Sequence, residues 1–340
     1  MRLNEVTLMR SILALLIVFM HSFTCYNGSW DQPAGYVDIP LYKWLARLTF
    51  AFTLECFVFI SGYLMAFQQI ALNRCVTNSP ISFFIHKLKR LILPSVLFSI
   101  LYFVIFYRYT GIGNMLYNVI NGCGHMWFLP MLFWCFVGAM LLLRIPIGDR
   151  WKLALLVILN IFTIITLPLR ISEAFTFIVY FYSGFLSYKY FARIKHFITR
   201  KSLTIMWLVF VLLFVIFRPL RDVLVTNESQ TIFVKFWVYV GNNISQFLYA
   251  YFGLAAFYAT AVYYVGVHDL KPFVIKLAAC SFGIYLLHQF ILQLIYYKTS
   301  LPSFVGPYIL PWIGFIAATF AAWCISNVML RTRSGKLLIG

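Results

Sequence analysis

LMRSILALLIVFMHSFTCY, residues Leu8–Tyr26, decides how the rest of the chain is read. The stretch is apolar enough to cross a membrane, yet it carries Arg10 near one end and His21 near the other. At about 100° per residue, the interval from Arg10 to His21 comes to about three helical turns, so both side chains share one face. At a rise of ~1.5 Å per residue they stand ~16 Å apart along the axis, roughly half the hydrocarbon thickness of a bilayer. A guanidinium and an imidazole are costly against lipid, so this face is predicted to look onto protein or a wet cavity. Glu5 and Arg10 disturb the charge layout of a secretory signal, and no small-residue cleavage site follows His21. The stretch is therefore predicted to be a retained helix.

Of 340 residues, 63% are hydrophobic and only 11% charged. That composition excludes an ordinary soluble domain and predicts an all-α integral membrane protein, a single transmembrane domain over 1–340 with no soluble appendage. Windows of about 20 apolar residues place about ten spanning helices. These fall near Leu8–Tyr26, Ala46–Phe67, Leu88–Tyr107, Gly124–Leu143, Trp151–Leu169, Ala174–Phe191, Ser202–Phe217, Ile244–Val267, Phe273–Tyr297 and Pro307–Leu330. With the N-terminus inside, the inner segments hold 18 of the 27 Lys and Arg and the outer segments 8, Arg10 lying within a span. This bias predicts both termini cytoplasmic and a multi-pass protein of the inner (plasma) membrane. The net charge of +18 is thus explained by topology, and no nucleic-acid partner is expected. A basic inner face also suits anionic lipid headgroups or a phosphorylated donor. The seven cysteines are scattered without ligand spacing, so neither a metal site nor a disulfide framework is predicted.

The run from Ile232 to Val267 is too long for one span and is interrupted by Gly241, Asn242 and Asn243. Either the helix protrudes outward, or a short re-entrant piece precedes the span. The segment before it, Arg218 to Lys235, is the longest on the outer side and a candidate cover for a substrate cleft.

Depth along the spans sorts the polar residues into two groups. His21, Glu55, His125, Trp127, Asn242, Asn243 and His288 fall between midplane and outer surface. Arg10, His86, Lys87, Lys89 and Arg90 gather on the inner side, where Lys87, Lys89 and Arg90 also read as plain topology charges. Glu55 needs a partner, because an acid within a span carries ~2.5–3.5 kcal/mol on insertion scales. His21, at similar depth, is the expected one; a carboxylate would raise its basicity and fix its tautomer. Ser281, Tyr285 and His288 form another stripe, for which interhelical hydrogen bonding is an equally good account.

The Arg10–His21 pair, the stretches Phe57–Leu64, Phe84–Pro94 and His125–Pro130, and the Ser281–His288 stretch together resemble acyltransferase family 3, polytopic membrane enzymes that modify carbohydrates and other acceptors. The Arg10–His21 pair is similar to the family's first-helix motif, and Phe57-Val58-Phe59-Ile60-Ser61-Gly62-Tyr63-Leu64 to its Ser-Gly stretch. Phe84 to Pro94 (FIHKLKRLILP) resembles the basic segment entering the third helix, with His86, Lys87 and Lys89 where the family often has more arginine. His125-Met126-Trp127-Phe128-Leu129-Pro130 and Tyr285-Leu286-Leu287-His288 resemble its Trp-Phe-Leu and Tyr-Leu-x-His elements.

The resemblance implies transfer of an acyl group, most often acetyl, from cytosolic acyl-CoA to a hydroxyl of an envelope carbohydrate or lipid-linked sugar. Acyl-CoA is then a co-substrate, and no bound cofactor is expected. His21 would be the general base, or would itself accept the acyl group transiently, with Glu55 orienting it. Arg10, Lys87, Lys89 and Arg90 would hold the phosphates of the donor. Trp127, Tyr285, His288, Asn242 and Asn243 are the expected contacts of the acceptor. Ser61 reads as a close-packing residue beside Gly62 rather than a nucleophile. An exporter of polysaccharide or lipid-linked sugar is the competing reading, kept open by the Gly241-Asn242-Asn243 interruption.

Overall fold

A computed structural model of the chain describes residues 3–73, 80–109, 111–163, 166–225 and 231–340. Among the described residues the regular elements are helical throughout. They begin with α1 (Asn4–Ser22), α2 (Pro40–Phe50), α3 (Thr53–Ile70), α4 (Pro80–Lys87), α5 (Leu93–Phe106), α6 (Ile112–Asn121), α7 (Phe128–Arg144) and α8 (Asp149–Phe162). There follow α9 (Ile171–Lys189), α10 (Phe191–Lys195), α11 (Arg200–Val225), α12 (Ile232–Val267), α13 (Pro272–Tyr297), α14 (Leu301–Val305), α15 (Leu310–Met329) and α16 (Arg333–Ile339).

Eight helical stretches among the described residues are long and apolar enough to cross a membrane, α2 running on into α3 and α4 into α5 as single stretches. The chain is a multi-pass membrane protein. The other two expected spans coincide with α8 and α9, which fall outside that set. At 14 residues α8 is ~21 Å long, short of the hydrocarbon core. In α9, Ser172, Glu173, Thr176, Ser183, Ser187 and Lys189 dilute the apolar character of a run of 19 residues.

The doubtful region from Ile232 is one continuous helix of 36 residues, with no separate re-entrant piece. Its length of ~54 Å exceeds any hydrocarbon core. Gly241 costs a helix only about 1 kcal/mol against alanine, too little to break so long an element. The supposed cover before it is helical up to Val225 and again from Ile232, and residues 226–230 lie outside the described residues.

The chain divides into two compact units. The first comprises Met1–Thr53, Lys89–Phe128 and His268–Gly340. Here α1 packs along α13, and α13 along α15. Met9, Leu13, Ile17 and Met20 form the buried stripe of α1, as its apolar spacing requires. The outgoing ends of α1 and α13 are tied by a 2.6 Å hydrogen bond from the Tyr296 hydroxyl to the Ser22 carbonyl. At the start of α5, Pro94 has no N–H to give the carbonyl four residues back, that of Arg90. The backbone there widens into a π turn over Leu88–Ile92, a bulge often found at functional positions.

The second unit comprises Leu54–Leu88 and Leu129–Val267. Gly62 and Gly184 let α3 and α9 cross with their backbones in contact. A Cβ at position 62 would overlap the Phe181 carbonyl, and one at position 184 the Phe59 carbonyl. The Ser61-Gly62 stretch therefore serves packing, with the Ser61 hydroxyl bonded to the Phe57 carbonyl at 3.0 Å. At the start of α8, Asp149 accepts hydrogen bonds from Lys189 Nζ (2.6 Å), the Tyr190 hydroxyl (2.7 Å) and the Tyr182 hydroxyl (2.8 Å).

Candidate active site

The face shared by Arg10 and His21 looks onto α13, and both residues are held by it. Arg10 Nε donates to Ser281 Oγ at 3.1 Å, and His288 Nε2 lies 3.2 Å from His21 Nδ1. Tyr285, between them on the stripe, donates its hydroxyl to the His125 carbonyl at 2.6 Å. One helix face thus holds Arg10, His21 and the His125 backbone.

His21 and His288 are both buried. The tautomers follow from what each nitrogen faces. His288 Nδ1 is 3.0 Å from the Ile284 carbonyl and His21 Nδ1 is 2.9 Å from the Ile17 carbonyl. A carbonyl can only accept, so both Nδ1 atoms carry hydrogen. The Nε2 lone pair of His288 then accepts a share of the His21 Nδ1 hydrogen. His21 keeps its own Nε2 lone pair for an incoming proton, the arrangement a general base needs.

His21 lines a cavity of about 530 Å³ within the first unit. Flat aromatic groups surround it, among them Trp30, Trp127, Tyr107 and Tyr297, together with the carboxamides of Gln289 and Gln293. No lysine or arginine lines it, although the chain has 27, and Asp31 is its single carboxylate. His125 reaches the cavity from the turn Gly122–Trp127. Gly122 and Gly124 adopt φ of +83° and +53°. A Cβ at 124 would press on the Tyr102 ring, and one at 122 on the Trp127 backbone, so both positions require glycine.

Arg90, on the π turn, lies near enough to Arg10 for the two like charges to repel. Neither has an acidic partner among the described residues, so the pair is electrostatically suited to an anion. Lys89 is exposed beside Arg90. Lys87 belongs to the second unit, where its ammonium sits 3.6 Å from the Phe136 ring centroid.

Other expected site residues are placed differently. His288 has no exposed surface and Tyr285 is engaged by His125, so both stand behind the cavity lining and Trp127 alone of the five expected acceptor contacts is in it. Asn242 and Asn243 belong to the second unit. Asn243 Nδ2 donates to the Ile161 carbonyl at 2.9 Å, tying α12 to α8. Glu55 also lies in the second unit, where it lines a small cavity with Asn160, Thr176, Tyr180 and Asn243. What faces His21 Nδ1 is the Ile17 carbonyl and the His288 imidazole.

The sequence reading missed Trp30, Asp31, Tyr102, Gln289, Gln293 and Tyr297. One signal was present: Tyr285, Gln289, Gln293 and Tyr297 recur every four residues, a polar stripe on an apolar helix. Gln289 is the most connected. Its Oε1 accepts from the His125 backbone N–H at 2.9 Å, and its Nε2 donates to the Tyr102 hydroxyl at 3.2 Å.

An all-helical, multi-pass membrane protein with a tautomer-fixed imidazole at a polar, aromatic-walled cavity is the class that fold and geometry define. Within that class the family is specific: the sequence model of acyltransferase family 3, described as an acyltransferase domain, matches residues 3–331, and the chain belongs to that family. It is a membrane acyltransferase. No curated protein and no solved structure matches the chain.

Proposed function

We propose that the protein transfers an acyl group, acetyl in the simplest case, from acyl-CoA on the cytosolic side to a hydroxyl of an envelope carbohydrate. The observation that carries this reading is the Nδ1-bonded His21 ring at a cavity free of lysine and arginine. Such a lining favours an uncharged polyol over a phosphorylated group. Trp30, Trp127 and Tyr297 offer flat faces to a sugar ring, and Gln289, Gln293 and Asp31 offer hydrogen-bonding groups to its hydroxyls.

In the proposed reaction, His21 Nε2 takes the acceptor's hydroxyl proton as the oxygen attacks the thioester carbonyl. The C–S bond then breaks, and the departing thiolate is protonated by the His21 imidazolium, leaving an ester and free coenzyme A. A proton on Nε2 places positive charge on a ring already donating to Ile17 and His288. Arg10 and Arg90, with Lys89, hold the donor's phosphates. The protein sits in the inner (plasma) membrane with both termini cytoplasmic, as the charge bias favours. The Gly241-Asn242-Asn243 interruption that kept an exporter open lies within a continuous α12.

The test is thiol release from acetyl-CoA by purified protein, with mass spectrometry of envelope polysaccharide from cells with and without it. Thiol release and a fixed mass increment per repeat are expected. Neither would be seen if the protein only exported a finished glycan.

A further inference from the structure

His125 is buried at 5% exposure, lines the His21 cavity, and has no hydrogen-bond partner at either ring nitrogen among the described residues. A buried polar group left in that state carries its full desolvation cost and needs an explanation. Its backbone is in the opposite condition. The His125 N–H is bonded to Gln289 and its carbonyl to Tyr285, on a turn that two left-handed glycines shape. The peptide is clamped so that the ring is presented; the ring packs against the Tyr285 and His288 rings, but neither of its nitrogens is hydrogen-bonded among the described residues.

Three other polar groups around the cavity each have a partner. The Tyr297 hydroxyl donates to the Asp31 carbonyl, the Thr24 hydroxyl to the Met20 carbonyl, and Gln289 Nε2 to Tyr102. The His125 ring centroid lies 6.3 Å from that of His21 and 4.8 Å from that of His288. Two imidazoles at 6.3 Å can both reach one carbon placed between them, the spacing a base and an oxyanion donor require.

We propose that His125 is a catalytic residue that donates a ring N–H to the acyl oxygen during transfer. The inference rests on the acyl-transfer reading of the cavity. As the acceptor oxygen bonds to the thioester carbon, the carbonyl electron pair moves onto oxygen and the His125 N–H hydrogen-bonds it. The pair returns when the C–S bond breaks, and His125 ends as it began. His21 moves the proton; His125 moves none.

The experiment is steady-state kinetics of His125→Phe, His125→Ala and His125→Gln in the purified full chain with acetyl-CoA and acceptor. Phenylalanine keeps the ring's volume without a donor, whereas glutamine keeps an N–H. The expected result is a roughly 10²–10³-fold loss of kcat in the Phe and Ala variants, the usual effect of removing one oxyanion donor, with both KM values within about threefold. His125→Gln should recover at least about tenfold of that loss. A Phe variant with kcat within about threefold of the parent overturns the role, as does a loss confined to acceptor KM, which would make His125 a binding residue only. Full activity in His125→Phe beside an inactive His21→Ala removes this role and leaves the acyl-transfer reading intact. A parent protein that transfers no acyl group removes both.

Discussion

His288 Nε2 stands 3.2 Å from His21 Nδ1, with its own Nδ1 anchored on the Ile284 carbonyl, so a fully buried imidazole joins the Ile17 carbonyl in holding the tautomer of the one at the cavity. This is the positioning logic usually met with a carboxylate behind a histidine, carried out without burying a charge. His288→Ala should lower kcat roughly tenfold to a hundredfold, part of the ~10²–10⁴ that a well-placed base contributes. His288→Gln, whose side-chain oxygen can accept from His21 Nδ1, should recover much of the loss. Equal defects in the two variants would mean that His288 only fills space.

Arg10 and Arg90 lie near enough to repel one another, neither has an acidic partner among the described residues, and an anionic ligand would relieve the repulsion. Arg10→Ala should raise the KM for acyl-CoA about tenfold or more and leave the acceptor KM unchanged. Arg10→Lys should restore charge but not the fork that reaches Ser281, giving a partial recovery. Unchanged donor KM in both variants would take Arg10 out of the donor site.

Outside the eight candidate spans, Asp149 supplies a pH-dependent tie at one end of the second unit. Burial works to raise its carboxyl, but hydrogen bonds from Lys189, Tyr190 and Tyr182, with the Lys189 charge, bring it down to about 2. A depressed carboxyl stabilises the fold at any pH above its ordinary value near 4, and that contribution disappears as pH falls toward 2. The difference is worth about 2 kcal/mol at neutral pH. Thermal unfolding of Asp149→Asn at pH 7 should show a loss of that order, and its stability should be flatter than the parent's below pH 4. Parallel acid limbs would contradict this.

At the α3–α9 crossing there is no room for a methyl group on either glycine. Gly62→Ala and Gly184→Ala should each cost about 1–3 kcal/mol or more, because backbone, unlike a side chain, cannot rotate aside. The check is a lower unfolding temperature and lower membrane yield for both variants. A neutral Gly184→Ala would mean that the helices can part without penalty.

How far the sequence could be read depended on the kind of information it carries. Hydropathy gave the helices, and the Arg10–His21 interval gave a shared face, because both are periodic properties of one segment. The Ser281–Tyr285–His288 stripe was also visible, and its members turned out to hold Arg10, His125 and His21 in place. Partner assignments were harder. Depth along the membrane placed Glu55 level with His21, but depth says nothing of the direction a helix face points. Glu55 looks onto Asn160, Thr176 and Asn243 of its own unit. Trp30 and Asp31 were missed because an irregular loop has no period from which to read which side chains reach a cavity. In the sequence His125 shows only as one of the polar residues between midplane and outer surface, whereas its clamped backbone depends on Gln289 and Tyr285, far away in sequence.

The most direct measurement is single-turnover acyl transfer by purified His21→Ala, with the parent and His288→Gln alongside. Formation of the acyl ester and release of the coenzyme A thiol should both fall by at least about 10²-fold in His21→Ala while the protein remains folded in its membrane. Parent-like turnover in a folded His21→Ala protein would contradict the account.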